Sequence, residues 1–168
     1  FGLPPSGQLA PLSPEKVTML EQALLAGKII AYAQGFAVMA AASKEFGWNT
    51  PLGTVARIWR AGCIIRSQFL GEIADALDAL PEAESLLLTD VFSGYLDNAH
   101  THLRRLVAEC ALAGLPVPTL AAALGHFDQV RRATGTANLI QAQRDFFGAH
   151  GFERMDAEGS FHNNWPPL

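Results

Sequence analysis

Ser13-Pro-Glu-Lys-Val-Thr-Met-Leu-Glu-Gln-Ala-Leu-Leu-Ala-Gly-Lys-Ile-Ile-Ala-Tyr-Ala-Gln-Gly-Phe36 is the stretch whose reading decides the fold. It opens with a helix start. Ser13 can accept from the first free backbone N–H groups. Pro14 suits the first helical position, where its missing N–H would have had no partner. Glu15 complements the positive end of the helix dipole. Apolar residues then recur at helical spacing through Val17, Leu20, Leu24 and Ile30 and on to Phe46, with Gly47 as the stop. The span predicts one long central helix. Gly27 and Gly35 inside it each cost about 1 kcal/mol relative to Ala. Such glycines read as points of close helix packing.

Outward from that helix the same signals repeat, and strand signals are nearly absent. Thr50-Pro51 caps a second helix running toward Trp59. Cys63-Ile-Ile65 and Phe69-Leu70 lead into a third, ending near Leu80-Pro81. Pro81-Glu82 restarts a short helix around Ser85 to Leu88, and another runs from Ser93 to Ala113. Gly114-Leu-Pro-Val-Pro118 is a break, Thr119 to about Arg132 is helical, and Ala133 to Ala137 is a loop. No internal repeat is visible. The expectation is an all-α, multi-helix domain around a long central helix, with an extended C-terminal tail. Residues 1–12 read as a linker or a cut end, 13–150 as the helical domain and 151–168 as the tail. The tail carries aromatic anchors, Phe161 and Trp165, on a polar chain ending in Pro-Pro-Leu168. Ordering a chain costs about 1–2 kcal/mol per residue, so such anchors imply a surface to dock on.

Asn138-Leu-Ile-Gln-Ala-Gln-Arg-Asp-Phe-Phe-Gly-Ala-His150 carries the candidate chemistry. Asn138 reads as an N-cap, with Gln141 completing a capping-box pattern. Arg144 is a fixed cation and His150 a titratable imidazole. Six residues apart, they would point roughly 120° apart on a continuous helix. They converge on one ligand only if the helix stops between them, and Gly148 offers that stop in a left-handed conformation. Guanidinium plus imidazole makes a clamp for a phosphate or carboxylate. The plain alternative is a solvated arginine and a turn-capping histidine.

Composition sets outer bounds. The chain has 168 residues, enough for one sizeable core, with 49% apolar and only 17% charged residues. That balance suggests surface buried against partners. The formal charge of −4 disfavours nucleic acid and requires an anionic ligand to find a local positive site. No unbroken apolar run reaches transmembrane length, and no signal peptide is visible. Cys63 and Cys110 lack metal spacing and read as free thiols of a reducing cytoplasm; no metal is expected. His100 and His102, two apart on a helix, do not face each other and read as structural. Arg60 or Arg66 is expected to reach a carboxylate such as Glu72 or Asp75.

Several blocks in order resemble one family: Gly27 to Phe36, Glu45-Phe-Gly-Trp48, Ile58-Trp-Arg-Ala-Gly-Cys-Ile-Ile-Arg-Ser67 with Phe69-Leu-Gly71, Leu139 to His150, and Phe161-His-Asn-Asn-Trp165. Together they resemble the C-terminal part of 6-phosphogluconate dehydrogenase, from about Ser6 to Trp165. The resemblance implies an upstream Rossmann domain, and this chain has no G-x-G-x-x-G fingerprint of its own. It implies oxidation of 6-phosphogluconate with NADP and release of CO2 to give ribulose 5-phosphate. The family's catalytic lysine and glutamate lie upstream, so Lys28 and Glu45 do not inherit those roles. A segment of this extent is expected to be inactive alone. The resemblance further implies that Arg144 and His150 bind the substrate and its phosphate in a neighbouring subunit's site, in a cytoplasmic homodimer with exchanged tails. Ala61 stands where the family carries Gly, and Phe146 where Tyr is frequent. The alternative is a non-catalytic helical oligomerisation or phosphosugar-binding module.

Overall fold

A computed structural model describes residues 12–60, 63–65, 67–79 and 85–165. Among the described residues the order is α1 (Pro14–Glu45), α2 (Leu52–Arg60), α3 (Phe69–Ala79), a 3-10 turn (Leu86–Leu88), α4 (Asp90–Leu112), α5 (Pro118–Val130), α6 (Ala137–Gly148), β1 (Phe152–Glu153) and β2 (Ser160–Phe161). The chain is all-α apart from that one small hairpin. Residues 1–11 of the linker expected over 1–12, Arg66, and the break and restart at Leu80, Pro81 and Glu82 lie outside the described residues. The chain divides into two compact units, residues 1–127 and 128–168. The expected boundary at 150/151 falls inside the second.

In the first unit α1 is the spine, 32 residues long. Ser13 Oγ accepts from the Lys16 N–H at 3.3 Å, and Gly47 ends the run with φ 64°. The helix buries Met19, Ala23, Ala26, Ile30 and Ala33, then Phe36. That stripe is not the one expected from the large apolar residues. Val17 and Leu24 are exposed, and the buried stripe is rich in alanine. The partner explains the shift. α4 buries Phe92, Leu96, Ala99, Leu103, Leu106 and Cys110, alternating steps of four and three. Two helices with a 3.5-residue repeat keep their seams together, and small residues on one let the large ones on the other come close. Lys16, at the start of α1, pairs with Glu109, near the end of α4, so the two run antiparallel. Each fully buried Ile or Leu of this seam contributes roughly 1.5–3 kcal/mol.

α2 and α3 form a second antiparallel pair. Gly53 near the start of α2 lies against Ala74 and Asp78 of α3. Arg57 pairs with Asp78. This ion pair joins the two helices; Arg60 lies along Gly71, and the expected contact of Arg66 lies outside the described residues. Trp59 meets Phe36 of α1 at 5.5 Å between ring centroids, and Phe69 meets Tyr95 of α4 edge-on at 5.9 Å. Tyr32 of α1 donates to the Ile65 carbonyl, closing the turn before α3. His100 packs on Phe127, a structural placement. Gly27 is a close-packing point, since a Cβ there would stand 2.6 Å from Leu120 Cδ2, whereas Gly35 faces open space.

The richest 18-residue window of α1 has a mean hydropathy of 1.5, so the helix is long and apolar enough to cross a membrane. Unbroken apolar runs, the signal sought in the sequence, miss this. Its buried stripe on α4 makes it the core helix here.

Candidate functional site

α6 carries both expected residues, but its two ends differ from the expectation. The helix begins at Ala137 after Thr136, whose side chain makes no capping bond. The Thr136 carbonyl takes the N–H groups of Leu139 and Ile140 at 3.1 and 3.3 Å. Asn138 therefore sits inside the first turn and is not the cap. Gln141 faces forward and accepts from Arg144 Nη1 at 2.8 Å, instead of closing a capping box. At the other end Gly148 is the last helical residue, and the left-handed position belongs to Ala149, with φ 48° and ψ 36°. A left-handed alanine costs about 1–2 kcal/mol. A Cβ at position 148 would run into the His150 imidazole.

That contact sets where the His150 ring lies. Positions 144 and 148 are one turn apart on the same face, with Cβ positions about 5–6 Å apart. The His150 ring folds back over Gly148, while the Arg144 guanidinium turns toward Gln141. Both side chains are exposed, and Phe147 meets the His150 ring edge-on at 6.4 Å. An anion meeting this face would find a guanidinium fork and an imidazole N–H.

The residue that the sequence reading passed over is Asp145. It is fully buried, beside an exposed arginine. Oδ1 accepts from the Gly151 N–H at 3.1 Å and from His162 Nδ1 at 2.8 Å. Oδ2 accepts from the Asn163 N–H at 2.9 Å and from Trp165 Nε1 at 2.8 Å. Burial pushes this carboxyl upward. The donors Asn163, His162, Trp165 and Gly151 outweigh burial and hold it well below the ordinary 3.8. The signal available in the sequence was weak: one acid on α6, with its donors six to twenty residues further on.

The rest of the second unit is built on this anchor. Gly151, with φ 72°, turns the chain into the hairpin, where Phe152 pairs with Phe161 and Glu153 with Ser160. Trp165 packs edge-on against Phe146 of α6 at 5.6 Å. The tail, expected to be extended and to dock on a partner subunit, is clasped as far as Trp165 onto α6 of its own chain. A groove of about 430 Å³ lies between Asn138, Gln141, the hairpin and Trp165. Its cation, Arg154, is tied in a fork to Asp156 at 2.8 and 2.5 Å.

Residues 8–165 match the family model described as 6-phosphogluconate dehydrogenase, C-terminal domain. The chain is 47% identical over 161 residues to the decarboxylating 6-phosphogluconate dehydrogenase of Shigella flexneri, covering 96% of this chain and 34% of that protein. It is 44% identical over 167 residues to the NADP(+)-dependent, decarboxylating enzyme of Bacillus subtilis, covering 98% of this chain and 36% of the relative. Among solved structures, Plasmodium falciparum 6-phosphogluconate dehydrogenase superposes with a TM-score of 0.85 at 38% identity, over 94% of this chain and 34% of that one. That enzyme has been solved apo, with its cofactor NADP+ and with its substrate 6-phosphogluconate. This chain spans about a third of the length of the relatives it matches. By the extent and level of these matches, the chain belongs to the 6-phosphogluconate dehydrogenase family, as its C-terminal domain.

Proposed function

We propose that this chain is the part of a decarboxylating 6-phosphogluconate dehydrogenase that completes the substrate site and forms the dimer. Arg144 would hold the substrate phosphate through its guanidinium fork, and His150 would add a second hydrogen bond. Both act by positioning. The observation that supports this reading is the fold-back of His150 over Gly148, one helical turn from position 144, with both the Arg144 and His150 side chains exposed.

Substrate oxidation and loss of CO2 belong to the longer protein. NADP, named for the Bacillus subtilis relative, is the proposed oxidant. The residues here do not fit it: among the described residues the strands are two residues each, and no strand-to-helix turn is present to take a dinucleotide pyrophosphate. Its binding, like the catalytic lysine and glutamate, is assigned to the preceding segment, and the isolated chain is expected to be inactive.

A homodimer with exchanged tails is the second part of the proposal. Val38, Phe46, Trp48 and Ile58 are all more than 60% exposed in the single chain, which supports burial against the rest of the protein or a second subunit. The exchanged body is unit 128–168, with its tail already clasped to α6. Both cysteines are free, which suits the cytoplasm as the proposed location.

The test is 6-phosphogluconate-dependent NADP reduction by the full-length protein, wild type against Arg144→Ala. Removing one partner of a desolvated charge pair is expected to cost about 2–5 kcal/mol in kcat/KM. An active wild type with an indifferent variant would remove Arg144 from the site. An inactive wild type would favour a non-catalytic helical module.

A further inference from the structure

We infer that Asp145 is a positioning residue of the substrate site, setting where the His150 imidazole lies relative to Arg144. The inference rests on the reading of Arg144 and His150 as substrate-binding residues.

The geometry brackets His150 from both sides with atoms of residue 145. The Ala149 N–H, one residue before it, bonds the Asp145 carbonyl at 2.9 Å. The Gly151 N–H, one residue after it, bonds Asp145 Oδ1 at 3.1 Å. The first bond is available to any residue at position 145. The second needs an acceptor on a short side chain. The remaining acceptor capacity takes His162, Asn163 and Trp165, so the same carboxylate pins the far end of the tail behind the turn that carries His150. Four donors converge on two oxygens, and only a carboxylate offers enough lone pairs. An amide in its place would aim an NH2 at two of those donors. A glutamate would carry its carboxylate one methylene too far.

Asp145 does not touch the face proposed to bind phosphate. Its effect should therefore appear in substrate binding and leave the reacting atoms alone. In the full-length protein, Asp145→Asn is expected to raise KM for 6-phosphogluconate about tenfold or more while kcat stays within about threefold. Hydrogen exchange at the Gly151 and Asn163 amides should quicken by about tenfold in parallel. Faster exchange with an unchanged KM would overturn the inference, leaving Asp145 as a tail anchor only. A fall in kcat with KM unchanged would overturn it as well.

Trp165→Phe provides a milder variant should Asp145→Asn fail to fold. It keeps a ring against Phe146 and deletes one donor to Oδ2. A KM raised about two- to fivefold supports positioning, and an unchanged KM refutes it. Arg144→Ala, assayed alongside, separates the two levels. If it too leaves KM unchanged, the underlying reading of the site has failed. If it raises KM while Asp145→Asn does not, only the positioning role has failed.

Discussion

The imidazole of His150 occupies the space that any side chain at residue 148 would need. A Cβ there would displace only that exposed ring, and the left-handed turn belongs to Ala149. Gly148→Ala should therefore fold well. It gains up to about 1 kcal/mol of helix propensity, less at a helix end. The same methyl should push the imidazole from its place over residue 148 and, if His150 binds the substrate as proposed, raise KM for 6-phosphogluconate about tenfold in the full-length protein. Thermal melting together with substrate titration checks both halves; unchanged KM with intact stability would show that the His150 placement does not matter for binding. Arg144 and His150 stand out in the sequence as candidates because a fixed cation and an imidazole flanking a helix end form a local pattern. Asp145 was not, because three of its four donors come from residues 162 to 165, brought back by the hairpin.

At the scale of elements, helix existence follows from local chemistry and helix phase does not. Ser13, Pro14 and Gly47 bound α1 as their side chains and backbone freedom dictate. Which stripe is buried was set by α4, whose large Phe92, Leu96 and Leu103 meet the alanine-rich side. The α2–α3 pair has a similar dependence at Gly53. A Cβ there would collide with the Asp78 carboxylate and lie 3.2 Å from the Ala74 carbonyl oxygen. Asp78 can swing away only by leaving Arg57, and the Ala74 backbone has little freedom to retreat. Gly53→Ala is expected to destabilise by about 1–3 kcal/mol through overpacking. Gly35→Ala, in open space on the exposed side of α1, should instead stabilise by up to about 1 kcal/mol. Urea denaturation of the two variants decides this: a Gly53→Ala midpoint at or above wild type would refute the close-packing account.

For the whole molecule, division at 127/128 places α6, the clasp and the tail in one body. Exchange between subunits would then deliver Arg144 and His150 together on a preformed support. Mixed dimers test this. One subunit carries Arg144→Ala; the other is intact at 144 but inactivated in the upstream catalytic segment. If Arg144 acts in the neighbouring site, the mixed dimer holds one fully equipped site and should recover about half of wild-type activity per dimer, while neither homodimer is active. If Arg144 serves its own subunit, mixing restores nothing.

The sequence by itself determined the helices, the start and stop of α1 and the family, and it singled out the two candidate ligands, since each rests on residues within a turn or two of one another or on motif order along the chain. Tertiary structure decided the buried side of α1, the job of Gly148, and the clasp at Asp145. Those outcomes depend on which surface a residue meets, and chain neighbours do not carry that information. An alanine stripe becomes a core face only when large side chains arrive opposite it, and an aspartate becomes an anchor only when four donors close around it.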